Sequence, residues 1–211
     1  MFCPSSLDLL HEIREALHLQ VQTRTQPLLV GVGGPGGSGK SQLTRWLAEQ
    51  FPGSAVLSLD EFRLPRDQRP AHAPFGSHPD ANDFELLFQV LEEAKQGRPL
   101  RQPVFDRQAG RVLSEVLLPP SNLILVDGEI SAYAALRDRL EVRILLKAHS
   151  WTLWRSRWHR DRRERDCSSW KTLKIFTRST LMDYPRFSRG ADQEAHYVLY
   201  RDSRNRLRRL N

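Results

Sequence analysis

Residues Gly34-Pro35-Gly36-Gly37-Ser38-Gly39-Lys40-Ser41 satisfy the pattern G-x-x-x-x-G-K-[ST]. Each residue type has a task there. Glycines let the backbone wrap tightly and aim its N–H groups at phosphate oxygens. A helix starting at the end of the loop adds partial positive charge. Lys40 then reaches the β- and γ-phosphates, and the Ser41 hydroxyl ligates Mg²⁺. Gly34, Gly36, Gly37, Ser38, Gly39, Lys40 and Ser41 are therefore expected to bind a nucleotide. The plainer alternative is a glycine-rich turn with a surface lysine. A second pattern overlaps the first: Gly31-x-Gly33-x-x-Gly36, with Asp60 24 residues beyond Gly36, fits a dinucleotide fingerprint. The Lys40-Ser41 pair decides against it, because a dinucleotide site does not need those two residues.

Two acids close short apolar runs, Asp60 after Ala55–Leu59 and Asp127 after Leu123–Val126. In open parallel sheets, ligands gather at the carboxyl ends of strands. Asp127 is placed like a Walker-B acid that holds the metal directly or through water. Asp60 is placed to accept a proton from a hydroxyl, with a share in the metal shell. Either could instead cap the next turn, and Glu61 and Glu129 could exchange roles with them. A third group is cationic: Arg155, Arg157, Arg160, Arg162, Arg163 and Arg165 crowd one segment. Arginines on a lid neutralise charge that spreads over transferred phosphoryl oxygens, and Arg157 and Arg160 can share a helical face. A solvated basic helix would look the same in sequence. Trp151, Trp154 and Trp158 read as core packing. The arginines at 201, 204, 206, 208 and 209 read as a frayed basic end. The histidines show no metal-ligand set: His72 and His78 share a long loop, and the other five are scattered.

Elements must exist to position these groups. Apolar residues at helical spacing predict helices over 6–20, through Leu43–Leu47 and over 83–96. Further helices are expected at 131–140, from Trp151 to about 165, and on to about 183. Strands are expected at 27–32, 55–59, 123–126, 142–146 and 197–200, with strand pieces and turns over 98–120. Residues 63–82 are rich in Pro, Arg and His without periodicity, and such long loops are often functional. Strands alternating with helices predict a parallel sheet covered on both faces. The 211 residues suit one domain of 1–211, with an N-terminal helix in 1–26 and a lid near 151–168. A mean hydropathy of −0.53 argues against a spanning helix. Two cysteines argue against a disulfide framework and point to a reduced, cytoplasmic setting. The net charge is +7, and only five of the 32 basic residues are lysine. Arginine forks suit phosphate and carboxylate partners.

The order of motifs resembles the uridine kinase and phosphoribulokinase family of P-loop kinases. The resemblance covers roughly residues 27–200. It rests on the glycine loop, Leu59-Asp60-Glu61-Phe62, His78-Pro79-Asp80-Ala81-Asn82-Asp83-Phe84, Pro103-Val104-Phe105-Asp106, Val126-Asp127-Gly128 and Arg157-x-x-Arg160-Asp161. It implies a P-loop NTPase three-layer sandwich with a mostly parallel five-stranded sheet and a small Arg-rich lid. It further implies ATP with Mg²⁺ and phosphorylation of a hydroxyl on a small metabolite, with possible homo-oligomers. Asp60 falls on the family's catalytic acid, with Lys40, Arg157 and Arg160 as its cationic helpers, and Ser41, Asp127 and Asp60 as the metal set. Departures cluster on the acceptor side. Glu61-Phe62-Arg63 stands where uridine kinases have Ser-Phe-Tyr. Ser77 stands where an acid holds ribose hydroxyls. Arg107-Gln108-Ala109-Gly110 replaces a base-contacting segment, and Asp127-Gly128 replaces Glu-Gly. The acceptor residues are thus expected to be Arg63, His78, Asp80, Phe105 and Arg107, with the two arginines favouring an anionic acceptor. No Asn-Lys-x-Asp motif is present, which argues against a GTPase switch. A nucleic-acid-binding ATPase and a non-catalytic nucleotide-binding protein stand as alternatives.

Overall fold

Leu28-Leu29-Val30-Gly31-Val32-Gly33 is buried along its whole length, as a strand lying between two helical layers must be. The structure, a computed structural model, describes residues 2–164 and 169–211. Along the chain run α1 (Leu7–Thr23), β1 (Leu28–Gly33), α2 (Lys40–Gln50), β2 (Ala55–Ser58), α3 (Phe84–Lys95), β3 (Leu100–Asp106), β4 (Arg111–Leu118), β5 (Leu123–Asp127), β6 (Val142–Ala148), α4 (Ser150–Glu164), α5 (Ser169–Ile175), a π-helix (Phe176–Asp183), α6 (Tyr184–Phe187), α7 (Ala191–Glu194), β7 (Tyr197–Arg201) and β8 (Leu207–Arg209). The main sheet has the order β2-β5-β1-β6-β7-β8, and β3 pairs with β4 in a separate hairpin.

Alternation along the strands divides the core. Val30, Val32 and Leu125 face one layer, where Leu10, Ile13 and Leu17 of α1 meet Leu43 and Leu47 of α2. Leu29, Ile124 and Val126 face the other, against Leu87, Val90, Leu91 and Ala94 of α3. Asp83 caps α3 by accepting from the Leu86 N–H at 2.9 Å. Among the described residues, no helix is long and apolar enough to cross a membrane.

Four expectations are corrected. The five parallel strands are present, but the sheet has six: β8 adds antiparallel to β7. The basic end is therefore not frayed. Asp202 Oδ1 accepts from the Arg204 and Arg206 N–H groups and closes the turn. The guanidiniums of Arg208 and Arg209 lie over Tyr200 and Tyr197 at 4.8 and 5.0 Å. Residues 131–140 do not form a regular helix. They are covered by 3₁₀ turns at Glu129–Ala132 and Ala134–Arg139, interrupted by extended Tyr133. This segment presses on β1 at its glycines: a Cβ on Gly31 would lie 2.6 Å from Leu140 Cδ1, and one on Gly33 2.9 Å from Ser131 Oγ. Two of the three glycines that mimicked a dinucleotide fingerprint, Gly31 and Gly33, thus serve packing. Finally, Trp151 is exposed, while Trp154 packs between Trp158 and Phe176, 5.2 Å from each.

Candidate active site

Strand register brings the three functional strand ends together. Asp127 on β5 is paired with Val32 of β1 on one side and Ser58 of β2 on the other. The glycine loop leaves the sheet two residues past Val32, and Asp60 lies two residues past Ser58 in a 3₁₀ turn, Leu59–Glu61. Sequence spacing alone could not show that β5 sits between β1 and β2.

The loop has the geometry that its glycines permit. Gly34, Gly37 and Gly39 have φ of 148°, 92° and 99°, conformations that L side chains rarely adopt. A Cβ at Gly37 would also sit 2.6 Å from the Leu153 carbonyl oxygen. Gly39 caps α2, its carbonyl accepting from the Gln42 and Leu43 N–H groups at 3.0 Å. Lys40 and Ser41 occupy the first two positions of that helix. Among the described residues, the buried Ser38 Oγ has no hydrogen-bond partner, and neither has Asp127 Oδ1. Burial pushes the Asp127 carboxyl up, Lys40 and the Ser41 and Thr44 hydroxyls pull it down, and Asp60 pushes it up again; the net direction is upward. A buried carboxylate oxygen without a partner, beside a serine hydroxyl, is a set of hard oxygen donors that fits Mg²⁺.

Glu129 lies on the same floor. Burial lifts its carboxyl to about 7, despite the opposing pull of Lys40 and Arg157, and among the described residues the buried Oε1 has no hydrogen-bond partner.

Cations converge from the other side. Arg157 is 6% exposed. Its Nη1 donates to Thr180 Oγ1 at 2.9 Å, and its Nε pairs with buried Asp161 at 3.6 Å. A Cβ on Gly36 would come 2.7 Å from Arg157 Nη1, so this guanidinium lies on the loop. Arg160 turns to Asp161 at 3.4 Å. Arg165 lies outside the described residues. Arg201 was not anticipated in this role. It is 6% exposed, and its Nη2 donates to the Gly37 carbonyl at 2.8 Å and to Ser156 Oγ at 2.7 Å. The signal for it was its position at the carboxyl end of β7, the same logic that marked Asp60 and Asp127.

On the acceptor side, Arg63 Nη2 meets Asp60 Oδ1 at 2.7 Å, and Arg107 Nη2 lies 3.7 Å from Asp60 Oδ2. Both arginines are thus brought to the expected base. Arg69 joins them: its guanidinium lies 5.2 Å from the centre of the buried Phe105 ring, and its Nε donates to the Leu64 carbonyl. Burial, with Arg63 and Arg66 nearby, lowers its pKa to about 10. Several bonds within the loop 63–82 hold it in place. Asn82 Nδ2 donates to the carbonyls of Gly76 and His78, and Leu64 N–H to Ala81. Ser77 Oγ donates to buried Asp183 Oδ2 at 2.9 Å, and the Ser77 carbonyl accepts from the Tyr133 hydroxyl at 2.6 Å. His78 packs edge-on to Phe187 at 4.7 Å, and exposed Asp80 turns to His72.

A glycine loop after the central strand, leading into a helix headed by lysine, is the arrangement of the P-loop kinases. D-glycerate 3-kinase from Cryptococcus neoformans shares the fold with a TM-score of 0.75 at 14% identity, over 96% of this chain and 99% of that one. Residues 29–207 match the phosphoribulokinase / uridine kinase family, and the chain belongs to it. Uridine kinase of Bacillus licheniformis is 30% identical over 128 residues, 56% of this chain and 60% of that protein. Chloroplastic phosphoribulokinase of Spinacia oleracea is 24% identical over 198 residues, 84% of this chain and 49% of that protein. The matched region thus spans about three fifths and one half of these two curated relatives.

Proposed function

We propose that residues 1–211 act as one kinase unit that uses Mg²⁺ and ATP to phosphorylate a hydroxyl group on a small anionic metabolite. The observation that carries this reading is the pairing of Asp60 with Arg63 and Arg107. The expected proton acceptor sits between two cations, in the turn that follows β2. In this reading, Gly34 to Ser41 cradle the phosphates, and Lys40, Arg157 and Arg160 neutralise charge on the transferred group. Asp60 takes the proton of the acceptor hydroxyl. Ser41 and Asp127, with a share from Asp60, would hold Mg²⁺, which supplies electrostatic screening of the phosphate oxygens. In this reading α4 carries the described part of the lid expected near 151–168, whose residues 165–168 lie outside the described residues.

Arg63 and Arg107 bind the acceptor's anionic group. His78, Asp80 and Phe105 support the acceptor loop, the first two through the His78 cap on the Asp80 N–H and the last by carrying Arg69. Ser77 carries no carboxylate for ribose hydroxyls, and its own hydroxyl is donated to Asp183 Oδ2. The panel that tests this pairs charged with neutral acceptors: glycerate with glycerol, pentose phosphates with pentoses, and uridine and cytidine alongside. The reading expects an anionic acceptor to have the highest kcat/KM, with KM raised at least tenfold in Arg63→Ala or Arg107→Ala. Preferred turnover of uridine or of a neutral sugar, unaffected by those changes, would overturn the anionic assignment.

A further inference from the structure

The fold gathers three metal-ligating side chains that the sequence spacing kept apart. His72 Nε2 lies 2.8 Å from Asp80 Oδ2, and His78 Nδ1 lies 3.8 Å from the same oxygen. One ligand atom from each of the three residues lies within 4.8 Å of the others. The expectation that the histidines form no metal set is thereby revised for this pair. We propose that His72, His78 and Asp80 form a binding site for a divalent transition metal of the zinc class, which staples the loop 72–80 on itself.

Two imidazoles and a carboxylate are a recurrent three-ligand zinc set, with a fourth position open to water. Metal–ligand bonds of about 2.0–2.2 Å put tetrahedral donors roughly 3.3–3.6 Å apart. The two separations from Asp80 Oδ2 bracket that range, and the two histidine donors lie within 4.8 Å of each other, so side-chain movements close the site. His72 and Asp80 are exposed and can make them. His78 is the fixed member: it is buried, edge-on to Phe187 and to His72 at 4.7 and 5.1 Å. Arg178 Nη2 holds the His72 carbonyl at 3.2 Å, which steadies the other end.

His72 and Asp80 both face His78, and closing the site around a metal gives up one existing contact. The cost is the 3.2 Å bond from the Asp80 N–H to His78 Nδ1, a long bond that the metal would replace where Nδ1 is the donor. Nitrogen donors separate this site from the all-oxygen set at Ser41 and Asp127, which suits Mg²⁺.

The test needs no kinase substrate, so its failure is separate from failure of the proposed function. Zn²⁺ and Co²⁺ are titrated into the full chain in excess Mg²⁺, followed by calorimetry and by the visible absorption of bound Co²⁺. One equivalent is expected to bind, with affinity falling at least tenfold in His72→Ala and in Asp80→Asn. Both positions are exposed, so both variants should unfold at the wild-type temperature without metal. Absence of stoichiometric binding would overturn the proposal. Binding unchanged in both variants would also overturn it, because the metal would then lie elsewhere, for example on a cysteine.

Discussion

Arg201 Nη2 donates a 2.8 Å hydrogen bond to the carbonyl oxygen of Gly37, joining the end of β7 to the phosphate loop. Arg157 leans on the same loop at Gly36. The loop is thus held between two buried guanidiniums rather than by its own hydrogen bonds alone. A hydrogen bond from a charged donor contributes about 1.5–3 kcal/mol. Arg201→Met, which keeps the stem and removes the fork, should weaken Mg·ATP binding about tenfold or more in a calorimetric titration. Wild-type affinity in that variant would mean that the loop shapes itself.

Arg157 depends in turn on the π-helix, where Thr180 Oγ1 accepts from its Nη1 at 2.9 Å. Removing the acceptor leaves a buried charged donor without its partner, at a cost of about 1–3 kcal/mol. Thr180→Val should lower stability by that order in urea unfolding. It should also reduce kcat more than it raises KM for ATP, because Arg157 is expected to act on charge that develops during transfer. Thr180→Ser, which keeps the acceptor, should restore kcat.

Gly37 and Gly53 provide a paired test of loop sterics. Both have positive φ, 92° and 86°, so alanine at either pays similar backbone strain. Only at Gly37 does a Cβ meet a neighbour, the Leu153 carbonyl oxygen at 2.6 Å; at Gly53 nothing lies within 4 Å. Gly53→Ala should therefore cost roughly 1–2 kcal/mol in stability and leave ATP binding unchanged. Gly37→Ala should cost more and weaken ATP binding at least tenfold. Equal effects would show that the close approach is not what constrains Gly37.

Glu129 makes stability pH-dependent. Its folded value, about 7, stands above the ordinary 4.5 because burial disfavours the charge. A raised carboxyl stabilises the fold fully below the unfolded value. That contribution is lost as pH rises through about 7, by roughly 3 kcal/mol in all. Without nucleotide, Glu129→Gln should match the wild type near pH 4.5 and be more stable by that order at pH 8. Parallel stability curves from pH 5 to 8 would contradict this.

The parts of the fold legible in the sequence were those written in local pattern. The stripe of Phe84, Leu87, Phe88 and Leu91 marked α3, and the apolar runs before Gly33, Asp60 and Asp127 marked three adjacent strands. The turns at 129–139 were misread because apolar spacing cannot reveal that Gly31 and Gly33 let the segment lie too close for a regular helix. Strand β8 was missed because its arginines look like a solvated end, whereas cation–ring contacts with Tyr197 and Tyr200 hold two of them on the sheet. In the candidate site, the residues that the sequence could nominate were those tied to a motif: the loop, Lys40, Asp60, Asp127 and Arg157, and their roles belong to the proposed function. Residues that arrive from distant segments could not be nominated. Arg201 lies 164 positions from Gly37, Asp183 lies 106 from Ser77, and the link from His72 to Asp80 needed the loop's fold.

The proposed phosphoryl transfer to a hydroxyl, with Asp60 as proton acceptor, is measured by acceptor-dependent ADP release from Mg·ATP, comparing wild type, Lys40→Ala and Asp60→Asn, with ATP binding followed in parallel. Turnover with an anionic acceptor is expected in the wild type. Lys40→Ala should lose both ATP affinity and turnover. In Asp60→Asn, ATP binding should remain near wild type while turnover falls at least a hundredfold. ATP binding without turnover on any acceptor in the wild type, or full turnover in Asp60→Asn, would contradict it.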